Sequence, residues 1–369
     1  MPVPLLDLNR QNQPLRADLT AAFERVMNSG HFILGPEIEA FERELAQMLS
    51  SRHALSVSSG TDAILLALMA LGIGPGDEVI CPAFTFFATA GCIARVGATP
   101  VFADVDPNTF NLDPEDVKAR LTPQTKALMP VHLFGQSAEL RPLLSLAETH
   151  RLAVIEDTAQ GLSAQHHGKA CGTWGDIGTY SFFPSKNLGG FGDGGLVTTQ
   201  RDDLGEKMRL LRTHGAQPKY YHKLIGGNFR LDAMQCALLR VKLPHLAVYS
   251  QARQKNAEFY SQHLAGAPGV VLPLAAPYNS HIWNQYTLRV PGAGRRDALR
   301  AHLTRHGIGH EIYYPLPLHL QECFAHLPKV SLPQSERLAS EVLSIPVFPE
   351  LTKNEREQVA TAVIDFLNA

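Results

Sequence analysis

Short β-rich runs alternate with helical segments between about residues 53 and 200 of the chain. The β-rich runs are HALSVSS, DEVICPAF, TPVFADV, KALMPVHLF, LAVIEDT, IGTYSFF and GLVTT. Nearly continuous apolar strands such as LAVI are typical of a sheet that helices cover on both faces. We therefore predict an α/β domain with a mostly parallel sheet, whose ligands bind at the carboxyl ends of the strands.

The second half of the chain predicts a long helix followed by a smaller unit. LDAMQCALLRVKLPHLAVYSQARQKNAEFYSQHLAG has helical character, with a break near Pro244 because proline interrupts a helix. Further on, WNQYTLRV predicts a strand, and RRDALRAHLTRHG and NEREQVATAVIDFLN predict helices. We therefore expect a large domain over residues 1–250 and a smaller C-terminal α/β domain over residues 251–369.

Composition narrows the class of protein and its partners. The 369 residues are 45% hydrophobic and 18% charged, which is typical of a globular protein. A net charge of −2 leaves no excess of positive charge for a nucleic acid. No apolar stretch is long enough to span a membrane, and the start MPVPLLDLNRQNQPL has no basic leader, so we expect a cytoplasmic protein.

Metal, calcium and dinucleotide sites are not expected. The five cysteines are odd in number and form no CxxC pair, which favours reduced thiols. His166 and His167 are adjacent and lack the spaced partners of a metal site. Thr109 stands where a calcium loop needs glycine, and the GxGxxG letters that end at Gly195 run into a strand instead of a helix.

Lys186 lies between an apolar aromatic run and a glycine-rich loop, in GTYSFFPSKNLGGFGDGG. A lysine in such surroundings is poorly solvated, so its amine can be tuned toward carbonyl chemistry. The alternative is an ordinary lysine at a strand end that extends its charge into water. Lys186 is therefore a candidate Schiff-base residue, and the rest of the chain decides between the two interpretations.

Two other strand ends carry polar residues. In VSSGTDAILLALMALG a strand ends directly before a helix, whose free N–H groups favour a phosphate, although ordinary helix capping explains the same letters. In LAVIEDTAQG the strand ends at Glu156 and Asp157. A carboxylate there can keep a pyridine nitrogen protonated, or it can simply cap the next helix.

Aromatic and amide side chains add to this set. In PAFTFFATA, one ring among Phe84, Phe86 and Phe87 can lie against a planar cofactor, or all three can belong to the core. In GGNFRLDAMQ, Asn228 and Arg230 precede a helix and suit a phosphate or carboxylate, or they form a capped helix start with a solvated arginine.

Together these features are what pyridoxal phosphate requires, and their order resembles a known family. The chain is similar to the sugar aminotransferases of the DegT/DnrJ/EryC1/StrS family, which are fold type I enzymes like aspartate aminotransferase. The resemblance runs from HFILGPEIEAFE through SSGTDA, EDTAQ and SFFPSKNLGGFGDGG to IYYPLPLHLQ. It implies a large domain with a mostly parallel sheet and a smaller C-terminal α/β domain.

The resemblance also implies a role for individual residues. Lys186 bonds the cofactor and then moves the proton, and Asp157 pairs with the pyridinium. The other cofactor contacts that the resemblance implies are Gly60, Thr61 and Ser181 at the phosphate, Phe86 stacked on the ring, Gln160 near the ring oxygen, and Asn228 at the cofactor phosphate of a neighbouring subunit, and hence a homodimer.

The implied reaction transfers an amino group, with glutamate as donor, to the keto group of a UDP- or dTDP-linked sugar. The beginning VPLLDL and the ending IYYPLPLHLQECF resemble members that act at the sugar's C3. The residues expected to face the sugar are Arg230, Tyr313, Tyr314 and His319, with core or rim roles as the alternative. Other interpretations are a 4-keto-sugar aminotransferase, a dehydratase of the family, which has histidine in place of Lys186, and a non-catalytic regulatory protein.

Overall fold

The computed structural model describes residues 2–368. Its helices are α1 (Leu8–Asn12), α2 (Arg16–Ser29), α3 (Pro36–Leu49), α4 (Gly60–Leu71), α5 (Ala88–Arg95), α6 (Pro114–Ala119), α7 (Leu140–His150), α8 (Asp202–Leu211), α9 (Ala233–Lys242), α10 (Leu246–His263), α11 (Arg295–Arg305), α12 (Pro333–Glu341) and α13 (Lys353–Asn368). Its strands are β1 (His53–Val57), β2 (Glu78–Pro82), β3 (Thr99–Ala103), β4 (Thr125–Leu128), β5 (Ala153–Asp157), β6 (Gln165–His166), β7 (Lys169–Ala170), β8 (Ile177–Ser181), β9 (Gly195–Thr199), β10 (Asn279–Ser280), β11 (Tyr286–Arg289) and β12 (Val342–Ile345).

A seven-stranded sheet in the order β1-β9-β8-β5-β4-β2-β3 forms the centre of the fold. β9 runs antiparallel to β1 and β8, and the other neighbouring strands are parallel. Consecutive residues of a strand face opposite sides, and Val154 and Ile155 of β5 accordingly belong to two different hydrophobic clusters. The predicted α/β fold with a mostly parallel, doubly covered sheet is confirmed.

The helices on the two faces differ. α4 packs against β5, β8 and β9, while α7 packs against β4 and β5 on the opposite face.

The glycine at the start of β9, Gly195, belongs to the predicted strand GLVTT. A Cβ at that position would lie 2.5 Å from the carbonyl oxygen of Ser59, so glycine lets β9 pass close to the start of α4.

The C-terminal part has its own hydrophobic cluster, to which β11, β12, α11 and α13 contribute. The predicted break near Pro244 is confirmed, because α9 ends at Lys242 and a 3-10 turn separates it from α10. Residue 250 lies within α10. Val3, from the start of the chain, also packs in this cluster and pairs with Ile308.

A charged contact connects the two ends of the chain. Arg10 of α1 donates two hydrogen bonds to Glu355 of α13, from Nη1 to Oε2 at 2.9 Å and from Nη2 to Oε1 at 2.8 Å.

In residues 2–368 none of the helices combines the length and apolar character that a membrane crossing requires.

Candidate functional site

A cavity of about 470 Å³ opens where β1, β5 and β8 end at the carboxyl edge of the sheet. Nine of the residues that the sequence predicts for the site line it, namely Gly60, Thr61, Phe86, Asp157, Gln160, Ser181, Lys186, Tyr313 and Tyr314. Other lining residues are Ser59, Thr85, Phe183, Ser185, Asp193 and Gln285. Residues distant in the sequence therefore meet where the parallel-sheet argument expects a ligand.

The start of α4 forms one wall of this cavity. Ser59 caps the helix by accepting a hydrogen bond from the Asp62 N–H at 3.0 Å. Gly60 follows, and a Cβ there would lie 2.8 Å from the Cβ of Ser181. Glycine thus lets the helix begin directly beside the end of β8. Helix capping, one of the two alternatives in the sequence, is observed, and the capped start of α4 also lines the cavity, so phosphate binding there stays a prediction.

Asp157 is buried at the end of β5. Its Oδ2 accepts a hydrogen bond from the Thr89 hydroxyl at 2.8 Å, and its Oδ1 accepts one from the Ala159 N–H at 3.1 Å. Burial raises the pKa of Asp157, although the hydrogen bonds and the nearby Lys186 ammonium oppose the rise. A cationic group against this carboxyl would be strongly favoured.

Glu156, the preceding residue, faces away from the cavity. Its carboxylate accepts hydrogen bonds from the backbone N–H groups of Gly172, Trp174 and Gly175 at 2.7, 2.7 and 2.8 Å. His132 Nδ1 accepts a hydrogen bond from the Ala138 N–H, so His132 Nε2 carries the proton and donates to Glu156 at 3.0 Å. Burial opposes ionisation, but these donors lower the pKa of Glu156.

Lys186 lies half-buried in a turn, where its N–H donates to the Phe183 carbonyl at 2.8 Å. Burial lowers the pKa of Lys186 to about 8, and the negative charge of Asp157 opposes this shift. The glycine loop folds back over the turn, since a Cβ on Gly189 would meet the carbonyl of Pro184. The amine is therefore uncharged in mildly alkaline solution, the form that reacts with carbonyl groups.

Gln160 and two aromatic rings form the opposite wall. Gln160 Oε1 accepts a hydrogen bond from the Phe134 N–H at 2.6 Å, and its Nε2 donates to the Tyr314 hydroxyl at 3.2 Å. Of the three phenylalanines in PAFTFFATA, only Phe86 lines the cavity, and 57% of its surface is exposed. Phe84 is buried in the core. One ring is thus free to lie against a planar group.

Three of the predicted residues lie outside the cavity of this chain. Asn228 is exposed and pairs with Thr213, and Arg230 pairs with Val57 at the end of β1. His319 lies against Glu336, 3.2 Å away. Thr89 and Gln285 are not predicted from the sequence, because a threonine in TFFATA and a glutamine in WNQY belong to no motif and approach the site only through the fold.

The lining residues fit pyridoxal phosphate, the cofactor that the sequence predicts. The helix start at Gly60, with Thr61 and Ser181, offers N–H and hydroxyl donors to a phosphate. The exposed face of Phe86 suits an aromatic ring, and the buried Asp157 suits a protonated ring nitrogen. Lys186, with its lowered pKa, is the residue that would supply the amine for the cofactor's aldehyde.

Comparisons with known proteins agree with this chemistry. A family model for the DegT/DnrJ/EryC1/StrS aminotransferases matches residues 13–364. A pleiotropic regulatory protein of Geobacillus stearothermophilus is 48% identical over 370 residues, covering 99% of both chains. The UDP-N-acetyl-3-dehydro-alpha-D-glucosamine 3-aminotransferase of Acidithiobacillus ferrooxidans is 44% identical over 361 residues, covering 98% of this chain and 97% of that one.

A solved structure agrees with the fold as well. The crystal structure of DesV from S. venezuelae in complex with a ketimine intermediate superposes with a TM-score of 0.97 at 43% identity, covering 100% of this chain and 99% of that one. Fold type I is thereby confirmed. The chain belongs to the DegT/DnrJ/EryC1/StrS aminotransferase family and uses pyridoxal phosphate as its cofactor.

Proposed function

We propose that the protein transfers an amino group from glutamate to the keto group of a nucleotide-linked sugar. The observation that carries this proposal is that Lys186 and Asp157, from separate parts of the chain, line one cavity large enough for the cofactor and part of a substrate. When bound, pyridoxal phosphate supplies an electron sink that makes the carbon bearing the amino group acidic. The protein's residues then have to hold the ring and move one proton.

Each side chain of the cavity has a proposed task. Asp157, held by Thr89, would keep the ring nitrogen protonated, and Phe86 would pack against the ring. The N–H groups at Gly60, with Thr61 and Ser181, would bind the phosphate, and Gln160 would approach the ring oxygen.

Lys186 would hold the cofactor through its Nζ and, as a free amine, would carry the proton at the same atom. Its burial supports this role because a lysine with a pKa of about 8 both accepts and releases a proton near neutral pH. The dehydratase alternative is disfavoured, because those relatives carry histidine in place of this lysine.

The sugar is proposed to carry its keto group at C3 and a UDP or dTDP group. The relative from Acidithiobacillus ferrooxidans, whose name specifies a UDP-linked 3-dehydro sugar, supports this assignment. Tyr313 and Tyr314 line the cavity and suit the sugar-facing role, while Arg230 and His319 stay predictions. A division into domains 1–250 and 251–369 would put the substrate between them, since both tyrosines belong to the second.

A panel of substrates tests the assignment. UDP- and dTDP-linked 3-keto and 4-keto sugars are incubated with glutamate and the protein, and products are read by mass spectrometry. We expect an amino-sugar product from a 3-keto substrate. A product from the 4-keto sugars alone would assign the protein to the alternative subclass.

Covalent labelling tests the lysine. The purified protein is expected to be yellow, its visible band to bleach with glutamate, and borohydride to fix the cofactor on Lys186. Lys242 serves as an internal comparison, since burial also lowers its pKa to about 8. Peptide mapping that finds the cofactor on Lys242, or on no lysine, would contradict the assignment. For Lys186→Ala we expect complete loss of amino transfer with the fold retained.

A regulatory role is the second candidate, because one relative at 48% identity is named a pleiotropic regulatory protein. Lys186 and Asp157 are both present and both face the cavity, which favours catalysis. A protein that binds the cofactor and reacts with glutamate but aminates no sugar of the panel would support the regulatory alternative.

We further propose a homodimer with shared active sites. Five large apolar residues of α2 and the segment after it are between 37% and 58% exposed, namely Phe23, Met27, Phe32, Ile33 and Leu34. This segment contacts the start of α9, where Ala233 N–H donates to the Phe32 carbonyl. The apolar surface thus lies beside the loop that presents Asn228, which is exposed and outside its own cavity and so is available to a second copy.

Sedimentation of the holoenzyme tests the dimer, and an active monomer would contradict it. The cytoplasmic location predicted from the sequence is supported by five free cysteines, four of them buried.

A further inference from the structure

We propose that Glu139, His166 and His167 form a binding site for a divalent transition-metal ion, with Zn²⁺ as the expected ion. One ligand atom of each side chain lies within 4.8 Å of those of the other two. Glu139 caps the start of α7, His166 is the last residue of β6, and His167 lies in the turn that joins β6 to β7. None of the three lines the cofactor cavity, so the site is separate from the proposed reaction.

His166 carries the proposal because one of its nitrogens lacks a partner. The ring is fully buried, and its Nδ1 lies 3.3 Å from the Ser137 hydroxyl oxygen. The Ser137 hydroxyl donates its own proton to the Ala138 carbonyl at 2.6 Å, so its oxygen must accept the proton of His166 Nδ1. The lone pair then belongs to Nε2, which has no hydrogen-bond partner among residues 2–368.

The neighbour of this lone pair is a carboxylate. Glu139 Oε1 lies 3.5 Å from His166 Nε2. His166 is buried and 32% of the Glu139 side chain is exposed. Two acceptors that face each other are unfavourable unless a proton or a metal ion lies between them. A divalent ion that binds the Nε2 lone pair and the carboxylate oxygen together would satisfy both acceptors.

The turn brings the second histidine to the same place. His167 has a φ of 44°, in the left-handed region that non-glycine residues seldom occupy. Its N–H donates to the Tyr278 carbonyl at 2.7 Å, and its ring lies edge-on to that of His166, with centroids 4.7 Å apart. Adjacent residues of an extended strand would point to opposite sides, so this turn geometry is what makes a histidine pair.

The chemistry of the donors selects the ion. Two imidazoles and one carboxylate suit Zn²⁺, and the exposed side of His167 leaves a fourth position for water. The Ser137 hydroxyl fixes the orientation of His166, as outer hydrogen bonds do at metal sites. The ion would join α7 to the β6–β7 hairpin. The backbone N–H groups of Gly172 and Trp174, which bind Glu156, follow this hairpin, so the ion would stabilise the hairpin and the segment after it.

Titration of the EDTA-treated and dialysed holoenzyme with Zn²⁺ tests the site. Cys323→Ser is used as the background, because Cys323 is the exposed thiol among the cysteines. Calorimetry is expected to give one equivalent of Zn²⁺ per chain, with a rise in melting temperature. His167→Ala and Glu139→Gln should each weaken binding at least tenfold, and circular dichroism checks that both variants fold. Glutamine keeps an oxygen to cap α7, so this variant isolates the loss of charge.

Two controls make the result decisive. His326→Ala removes an exposed histidine elsewhere and should leave the affinity unchanged. His306→Ala disrupts a second histidine pair, at the end of α11, in which the rings of His302 and His306 are 4.2 Å apart. Zn²⁺ binding that survives in His167→Ala and Glu139→Gln, or that disappears in His306→Ala instead, would overturn the proposal. Absence of stoichiometric binding in the background protein would also overturn it.

Discussion

Two consecutive carboxylates at the end of β5 have opposite surroundings, and the difference is testable. The Glu156 carboxylate accepts hydrogen bonds from three backbone N–H groups. In Glu156→Gln, the side-chain NH₂ replaces one acceptor oxygen and faces these N–H groups, so some of them lose their hydrogen-bond partner. We expect a loss of about 2–3 kcal/mol in the free energy of unfolding, measured with denaturant. The matched change Glu148→Gln, at an exposed position of α7, should cost less than about 0.5 kcal/mol. Equal effects would contradict the role of Glu156.

The lowered pKa of Lys186 predicts how cofactor uptake depends on pH. Since only the uncharged amine reacts with an aldehyde, uptake of pyridoxal phosphate by cofactor-free protein should accelerate with a midpoint near pH 8. Asp157 opposes the lowering, so Asp157→Asn should move this midpoint to lower pH. Rapid-mixing absorbance measures the rate, and a midpoint near the ordinary lysine pKa of 10.5 would contradict the prediction.

Individual site residues could be predicted from the sequence where a local pattern identifies them: at the end of a strand, at the start of a helix or beside a glycine-rich loop. Lys186, Asp157 and Gly60 belong to this class, and all three line the cavity. Thr89 and Gln285 could not be found in this way. Thr89 matters only because α5 brings its hydroxyl to Asp157, and Gln285 only because the C-terminal part approaches the sheet.

Among the elements, the start of α4 is the most sensitive to a small change. Gly60→Ala places a methyl group 2.8 Å from Ser181 Cβ, so the helix or β8 must move. We expect a loss of about 1–3 kcal/mol in stability and a clear loss of cofactor affinity. Gly74→Ala is the control, because a Cβ there meets its nearest atom at an ordinary 3.7 Å.

The double variant Gly60→Ala/Ser181→Gly separates packing from binding. Removing the Ser181 side chain relieves the contact, so thermal stability of the cofactor-free protein should recover in part. Cofactor affinity should stay low, because a hydroxyl proposed for the phosphate is absent. Full recovery of affinity, measured by fluorescence titration, would exclude Ser181 from that role.

Element prediction succeeded where burial imposes a strong pattern. The strands of the large sheet are apolar because helices cover both faces, and that pattern is visible in the sequence. β6, β7 and β10 contain two residues each, too few to produce a period, and they form because β6 pairs with both β7 and β10. The antiparallel direction of β9 likewise depends on its neighbours and not on its own letters.

Across the whole molecule, the Arg10–Glu355 contact predicts a response to acid. The hydrogen bonds from Arg10 lower the pKa of Glu355 to about 2, against an ordinary value of 4.5. Between these values the unfolded chain binds more protons than the folded one, so stability from this pair is present above pH 4.5 and falls as the pH drops toward 2.

Melting temperatures between pH 6 and pH 3 measure this effect. Arg10→Gln should melt at a lower temperature than wild type at pH 6, and the difference should shrink as the pH falls, because protonated Glu355 no longer benefits from the arginine. Arg43→Gln, at an exposed position of α3, should show no such convergence. A pH-independent difference would mean that Arg10 acts through packing alone.

The pairing of β5 with β8 sets Asp157 opposite Thr179 and Glu156 opposite Gly178. Sliding β5 by a single residue would exchange the two acids, pushing the aspartate among the hairpin amides and turning the glutamate toward the cavity. The register of β5 against β8 therefore determines both which acid faces the cavity and which acid binds the backbone N–H groups. A one-residue insertion or deletion between α7 and β5 that shifted this register would therefore abolish activity, even with every side chain of the cavity unchanged.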